Sequence, residues 1–158
     1  MRIVRATSAA ELADARALVE EYVASLHVSL AFQDYADEIA AFPGAYAPPS
    51  GEVLLAYEGG DRAGVAALRR LDPSVCEMKR MYIRPAFRGQ GTGRALAVQL
   101  IRDAVVLGYS AMRLDTLASM DAALGLYRSL GFVEIPAYRY NPIAGARFLE
   151  LDLRPKPL

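Results

Sequence analysis

The feature that most constrains this chain is a glycine-rich turn placed between an extended segment and a helical one. The turn reads Arg-Gly-Gln-Gly-Thr-Gly over residues 88–93. An extended run occupies residues 75–84 before it, and apolar residues recur at helical spacing over residues 94–107 after it. The sequence therefore predicts a strand, a tight turn and a helix in direct succession.

The start of that helix is predicted to bind an anion. The first amides of a helix lack intrahelical partners, and the helix dipole makes this end positive. Glycine adopts positive φ angles and removes the side chains that would keep a ligand away from the backbone. Such a turn suits phosphate, and two arginines add formal charge. The predicted cradle consists of Arg88, Gly89, Gln90, Gly91, Thr92, Gly93 and Arg94.

The spacing of the glycines limits which phosphate ligand fits. The nucleoside-triphosphate loop requires a Lys-Ser or Lys-Thr pair, and the sequence contains neither. The dinucleotide fingerprint requires a third glycine at the position that Arg94 occupies here. A nucleotide-binding protein that uses the same cradle is one alternative, and a helix start that only needs flexible glycine is another.

The overall composition indicates one globular domain spanning residues 1–158, with 54% hydrophobic and 23% charged residues. Because 18 basic residues balance 18 acidic ones, we expect no general affinity for nucleic acid. The sequence has neither an apolar run long enough to span a bilayer nor the apolar block of a signal peptide. The single cysteine, Cys76, is expected to be a buried, inert thiol. We therefore predict a cytoplasmic protein without a membrane partner.

Periodicity predicts an α/β fold built on one mixed sheet. Helical patterns cover residues 9–27, 33–42, 94–107 and 121–130. Extended patterns cover residues 3–4, 52–58, 62–71, 75–84, 111–117, 132–138 and 148–153. The strands over residues 52–84 follow one another through short turns and form an antiparallel meander, whereas the next strand follows a helix and is expected to run parallel to its neighbour. The sheet can splay where the two halves meet, which would leave a crevice beside the glycine turn.

A second motif lies in the helix predicted at residues 121–130. Its residues are Ala123, Leu126, Tyr127, Gly131 and Phe132, in the spacing A-x-x-L-Y-x-x-x-G-F. Together with the Arg-x-x-Gly-x-Gly turn, this segment resembles the GNAT superfamily, the acyl-CoA-dependent N-acetyltransferases. The resemblance spans residues 52–132, about half of the chain, with the two motifs in the family's order.

The resemblance implies acetyl-CoA as the cofactor, with its pyrophosphate on the glycine turn, and it requires no metal. It also implies that backbone amides of the splayed strand contact pantetheine and form an oxyanion hole for the thioester carbonyl. Many relatives carry an asparagine where this chain has Met120, and Ser119 is a candidate replacement. The implied cofactor-binding residues outside the turn are Met81, Tyr82, Ile83, Ser119, Ala123 and Tyr127.

Two residues are implied in catalysis. Tyr127 corresponds to the tyrosine that donates a proton to the leaving thiolate; the alternative is an aromatic side chain packed in the core. Glu77 corresponds to a glutamate that takes the proton of the amine, often through water; the alternative is a structural residue paired with Lys79 or Arg113. An amine with a pKa near ~10.4 needs such a base because an ammonium has no lone pair.

The implied reaction is direct transfer of an acetyl group to a primary amine of a small molecule or peptide. A non-catalytic acyl-CoA-binding module or sensor is the alternative function. The acceptor is expected between the first two helices and the last two strands, and a homodimer through those strands is a further expectation. The candidate acceptor-pocket residues are Gln33, Tyr35, Tyr46, Tyr138 and Asn141.

Overall fold

The computed structural model describes residues 1–117 and 119–156, and its centre is a seven-stranded sheet. The strands are β1 (Arg2–Arg5), β2 (Glu52–Glu58), β3 (Asp61–Asp72), β4 (Val75–Ile83), β5 (Ala111–Thr116), β6 (Val133–Ile135) and β7 (Arg147–Asp152). Their order across the sheet is β1-β2-β3-β4-β5-β7-β6. Neighbouring strands are antiparallel except for β4 and β5. The prediction of an α/β fold with a mixed sheet is confirmed, and that of a single domain stays a prediction.

Helices cover both faces of the sheet. They are α1 (Ala9–Ser25), α2 (Tyr35–Ala41), α3 (Thr92–Val106) and α4 (Asp121–Ser129). Because α3 carries the chain from the end of β4 back to the start of β5, these two strands run parallel. Ser8 and Glu11 form a capping box at the start of α1. In the described part of the chain, none of the helices combines the length and apolar character needed to cross a bilayer.

The core lies on both faces of the sheet because successive strand residues point to opposite sides. On one face, Leu54 and its neighbours pack with Leu96 and the rest of the buried stripe of α3. On the other face, Leu55 and its neighbours pack with Leu18 of α1. Polar side chains within the central strands are therefore buried whichever face they point to.

Several elements end earlier than the sequence pattern predicts. β6 ends at Ile135 because Pro136 has no N–H to donate to the ladder, and residues 136–146 form a loop instead. α1 ends at Ser25, and His27 shortly afterwards has a left-handed φ of +55°. α2 is also shorter than predicted. These earlier ends leave loops between α1 and α2 and between β6 and β7, the segments beside which the acceptor is predicted to bind.

β4 and β5 separate soon after they begin. Their parallel pairing joins Val75–Glu77 to Ala111–Arg113, although β4 continues to Ile83. A register shift against β3 and a φ of +59° at Arg80 mark a bulge in β4. The predicted splay of the sheet is therefore confirmed, and it opens beside the start of α3.

Candidate active site

A groove of about 630 Å³ runs along the splayed edge of β4 and across the start of α3. Most of the predicted cofactor-binding residues line it. These are Met81, Tyr82, Ile83, Arg88, Gly89, Gly91, Thr92, Gly93, Arg94, Ser119 and Ala123. Gln90 is exposed on the turn outside this lining, and Tyr127 lies deeper, in a separate cavity.

The turn before α3 has the geometry of an anion cradle. Gly89 and Gly91 have φ values of +76° and +81°, in the left-handed region that glycine adopts at little cost. The helical ladder begins with the bond from Ala95 N to Gly91 O, 3.0 Å long, so the amides of residues 92–94 lie ahead of it. Arg94 lines the groove beside these amides. The arrangement concentrates positive potential at the groove wall.

A smaller cavity of about 60 Å³ adjoins the inner end of the groove. The two share Tyr22, Leu26, Met81, Leu117, Met120 and Ala123 as lining residues, so a ligand in the groove reaches the cavity directly. The polar residues of the cavity wall include Gln33, Lys79, Arg80, Asp115, Tyr127 and Asn141. Among residues 1–117 and 119–156, no group of His, Cys, Asp and Glu side chains is arranged to hold a metal ion.

Tyr127 is 5% exposed and lines this inner cavity from α4. Its ring packs against Phe132, with 5.7 Å between ring centroids, so the two motif residues hold one another in place. Burial raises the pKa of Tyr127 above its ordinary value. The phenol is therefore protonated throughout the neutral range and can act as a hydrogen-bond donor.

Glu77 does not have the surroundings that the predicted base requires. It is 0% exposed and lies outside the lining of both the groove and the cavity. Its carboxylate accepts hydrogen bonds from Arg69 Nε at 2.9 Å and Tyr138 Oη at 2.6 Å, and it is also paired with Arg139. Burial alone would raise the pKa of Glu77, but Lys79 and the two arginines hold it below its ordinary value.

The surroundings of Glu77 differ from both expectations, that of a base for the amine and that of a partner of Lys79 or Arg113. A buried carboxylate that two guanidinium groups already share, and that lines neither the groove nor the cavity, has no direct access to an amine bound there. The partners named in the structural alternative also differ, because Arg113 pairs with Glu150 at 2.7 Å and the Glu77 carboxylate is bound by Arg69, Tyr138 and Arg139. Through Tyr138 and Arg139, Glu77 fastens the loop of residues 136–146 to β4.

The structure brings only part of the predicted acceptor set together at the cavity. Gln33 and Asn141 line the inner cavity. Tyr46 is instead buried in the core beneath α1, and the Tyr138 hydroxyl is bound to Glu77. The ring of Tyr35 lies 5.6 Å from the Arg80 guanidinium, outside the cavity wall. The side chains of these three tyrosines are therefore engaged in contacts outside the cavity wall.

Lys79, Arg80 and Asp115 are the charged cavity-lining residues that the sequence analysis did not assign to the site. Lys79 is 5% exposed, donates to Gln33 Oε1 at 3.0 Å and lies 3.9 Å from Asp115 Oδ1. Burial lowers the pKa of Lys79 to about 8. Arg80 is paired with Glu38 through two hydrogen bonds of 2.8 and 2.9 Å. The sequence signal that could have identified them is the presence of charged residues within strands that are otherwise largely apolar.

Comparison with known proteins identifies the fold and the family together. Residues 15–132 match the family model described as "Acetyltransferase (GNAT) family". An acetyltransferase of the GNAT family from Staphylococcus aureus superposes with a TM-score of 0.78, covering 97% of this chain and 99% of that one at 18% sequence identity. At this identity the superposition establishes the shared fold.

Curated relatives agree with the family match. An uncharacterized N-acetyltransferase of Schizosaccharomyces pombe is 39% identical over 145 residues, which cover 90% of this chain and 89% of the relative. The N-acetylaspartate synthetase of Danio rerio is 37% identical over 115 residues, which cover 70% of this chain and 41% of that protein. The chain therefore belongs to the GNAT family and is an N-acetyltransferase.

Proposed function

We propose that this N-acetyltransferase moves the acetyl group of acetyl-CoA directly to a primary amine held in the inner cavity. The pyrophosphate binds the amides of residues 92–94, and pantetheine follows the groove past Met81 and Ile83. The thioester then lies where the groove meets the cavity, near Tyr127. The observation that carries this proposal is the continuity of the groove at the anion cradle with a cavity lined by polar side chains.

The chemistry forms one bond and breaks one bond. The amine nitrogen attacks the thioester carbonyl carbon, the C–N bond forms, and the C–S bond breaks to release the thiolate. A phenol with a pKa near ~10 is already a weaker acid than a thiol near ~8.5, and burial of Tyr127 widens this gap. We therefore assign Tyr127 a hydrogen bond that stabilises the developing thiolate, which then takes its proton from water.

The proton that leaves the amine needs an acceptor other than Glu77. Among the described residues of the cavity wall, the one carboxylate is that of Asp115. We propose that Asp115, or a water that it holds, takes this proton. An Asp115→Asn variant should lower kcat/KM by about 10²-fold, and Asp61→Asn at the exposed start of β3 is the matched control. Equal activity of the two variants would remove Asp115 from the reaction.

The deciding experiment mixes the protein with acetyl-CoA and a panel of primary amines and measures thiol release. A non-catalytic acyl-CoA-binding module predicts heat on titration with acetyl-CoA but no thiol with any amine. A nucleotide-binding protein predicts heat with ATP or NAD instead. Thiol release that depends on the amine supports the proposal, and its absence with the whole panel contradicts it.

Three finer expectations belong to the same proposal. The name of the Danio rerio relative supports an amino acid as one acceptor class. β6 lies at an edge of the sheet and exposes Val133, which supports a homodimer through that strand. Sedimentation of the wild type and of Val133→Glu tests the dimer. The expected cytoplasmic location is tested by fractionating cells.

A further inference from the structure

We infer that the inner cavity contains a carboxylate-binding subsite centred on Lys79, so that the acceptor is a small primary amine that also carries a carboxylate. The inference rests on the proposed function and specifies its substrate class. Three observations support it: the position of Lys79, the excess of positive charge in the cluster around it and the size of the cavity.

The placement of Lys79 suits contact with a ligand. Cys76 and Met78 pack on the α3 face of the sheet, so Lys79 points to the opposite face, into the cavity. An ammonium has three N–H donors, and Lys79 gives one to the neutral amide of Gln33 at 3.0 Å. The Asp115 carboxylate at 3.9 Å is beyond hydrogen-bond distance, and it already accepts from Asn141 Nδ2 at 3.2 Å.

The charges of the cluster around Lys79 do not balance within the described residues, although Arg69 and Arg139 are partly exposed. Glu77 is shared by Arg69 and Arg139, so this group retains one positive charge. Arg80 is matched by Glu38, and the carboxylate within ion-pair distance of Lys79 is that of Asp115, at 3.9 Å. The cluster therefore consists of four cations, Arg69, Lys79, Arg80 and Arg139, and three anions, Glu38, Glu77 and Asp115.

Lys79 itself is 5% exposed, and a charge so far removed from water is unfavourable unless it is well paired. Burial lowers the pKa of Lys79 to about 8, and the nearby carboxylates of Glu77 and Asp115 offset this only in part. A carboxylate bound at Lys79 would supply the missing negative charge. The amide side chains of Gln33 and Asn141 flank the same space and can donate to its oxygens.

The size and walls of the cavity restrict the acceptor further. A volume of about 60 Å³ admits a small molecule or the end of a longer one. Leu30, Leu114 and Ile143 form apolar walls, which strengthen an ionic contact by excluding water. Because Tyr127 lines the same cavity, a carboxylate at Lys79 leaves the amine of a short acceptor close to the thioester. A polyamine would instead bring further positive charge to a cationic cluster.

The first experiment needs only the wild-type chain. Thiol release from acetyl-CoA is compared for small amino acids, for their carboxamides and for the corresponding amines without the carboxyl group. Rates are expressed per unprotonated amine, because amidation changes the pKa of the amine. A charged hydrogen bond at Lys79 predicts a kcat/KM that is about 10- to 100-fold higher for the carboxylate-bearing member of each set.

The second experiment assigns this preference to Lys79. Lys79→Met keeps a side chain of similar length without the charge, and Lys156→Met near the exposed C-terminal end is the matched control. We expect Lys79→Met to lose the preference through a higher KM for the acid, with an unchanged Kd for coenzyme A. Lys156→Met should keep the preference. A thermal melt and the coenzyme A titration establish that each variant is folded.

The outcomes separate this inference from the proposed function. If carboxamides or polyamines react as fast as the acids, the enzyme is an acetyltransferase and the carboxylate subsite is wrong. If Lys79→Met keeps the wild-type preference, Lys79 is not the residue that recognises the carboxylate, and the inference fails. If coenzyme A binds but no amine releases thiol, the proposed function fails and the inference with it.

Discussion

At the scale of single residues, the buried phenol of Tyr127 should matter for turnover and not for cofactor binding. Tyr127→Phe removes the donor to the departing thiolate while keeping the ring that packs on Phe132. We expect kcat to fall by about 10²-fold with an unchanged Kd for coenzyme A. Tyr140→Phe, at an exposed position, is the control. A variant with wild-type kcat would exclude Tyr127 from the reaction.

Cys76 should be unreactive in the folded protein. It is fully buried, and burial raises the pKa of its thiol to about 12. An aromatic disulfide reagent at about pH 8 should therefore leave the native chain unmodified and titrate one thiol in urea. The measurement also establishes that coloured product in the transfer assay reports coenzyme A. Fast modification of the native protein would mean that β4 opens in solution.

At the scale of elements, the start of α3 depends on the left-handed conformation of Gly91. Gly91→Ala places a side chain at a φ of +81° and should cost about 1–2 kcal/mol of stability, measured by urea unfolding. The same strain moves the amides of the cradle, so the Kd for coenzyme A should rise.

The control for Gly91 is a glycine inside another helix. Gly125 lies within α4, where an added Cβ meets no atom within 4 Å. Gly125→Ala should therefore stabilise the chain by about 0.5–1 kcal/mol and leave the Kd unchanged. If the two variants bind coenzyme A equally well, the glycine turn does not determine cofactor affinity.

The loop of residues 136–146 depends on its attachment to Glu77. Since the pKa of Glu77 lies below its ordinary value of 4.5, its carboxylate stabilises the fold above that pH, and the contribution is lost as the pH falls through the lowered pKa. Glu77→Gln should raise the KM for the amine and lower the Tm at neutral pH.

This loss of stability has a pH dependence that identifies its cause. The difference in Tm between wild type and Glu77→Gln should shrink as the pH is lowered from about 6 to about 3. Glu20→Gln, at an exposed position on α1, should show no such trend. A constant difference across this range would mean that packing, and not the carboxylate charge, is responsible.

At the scale of the whole molecule, Glu52 connects the stability of the fold to pH. It accepts a hydrogen bond from Arg5 at 2.8 Å, and Arg5 also binds Asp103, so the cluster joins β2, β1 and α3. Burial first, and the neighbouring Asp103 second, raise the pKa of Glu52 to about 7. Because the folded state binds this proton more tightly than the unfolded state, stability falls as the pH rises from the ordinary value of 4.5 through about 7.

A neutral replacement of Glu52 should remove this dependence. Glu52→Gln resembles the protonated side chain, so we expect a higher Tm than the wild type at about pH 8 and a similar Tm at about pH 5. Thermal melts across this range measure the effect. Parallel pH profiles for the two proteins would contradict the raised pKa.

The parts of this protein that the sequence determines by itself depend on neighbours along the chain. The turn at residues 88–93, the helix after it and the motif around Tyr127 are local patterns, and each lies where it was predicted. The mixed sheet follows from the same patterns, because a helix between two strands makes those strands parallel. Even the early end of β6 has a local cause in Pro136.

Only the tertiary structure decides which charged and polar side chains pair with one another. Glu77 bonds to Tyr138, 61 positions away, and Lys79 bonds to Gln33, 46 positions away. A carboxylate and a lysine two residues apart on one strand look alike in the sequence, yet one is enclosed by guanidinium groups and the other lines a cavity. Because desolvation and pairing set the pKa of each group, this arrangement ties Glu77 to the loop of residues 136–146 and leaves Lys79 facing the cavity.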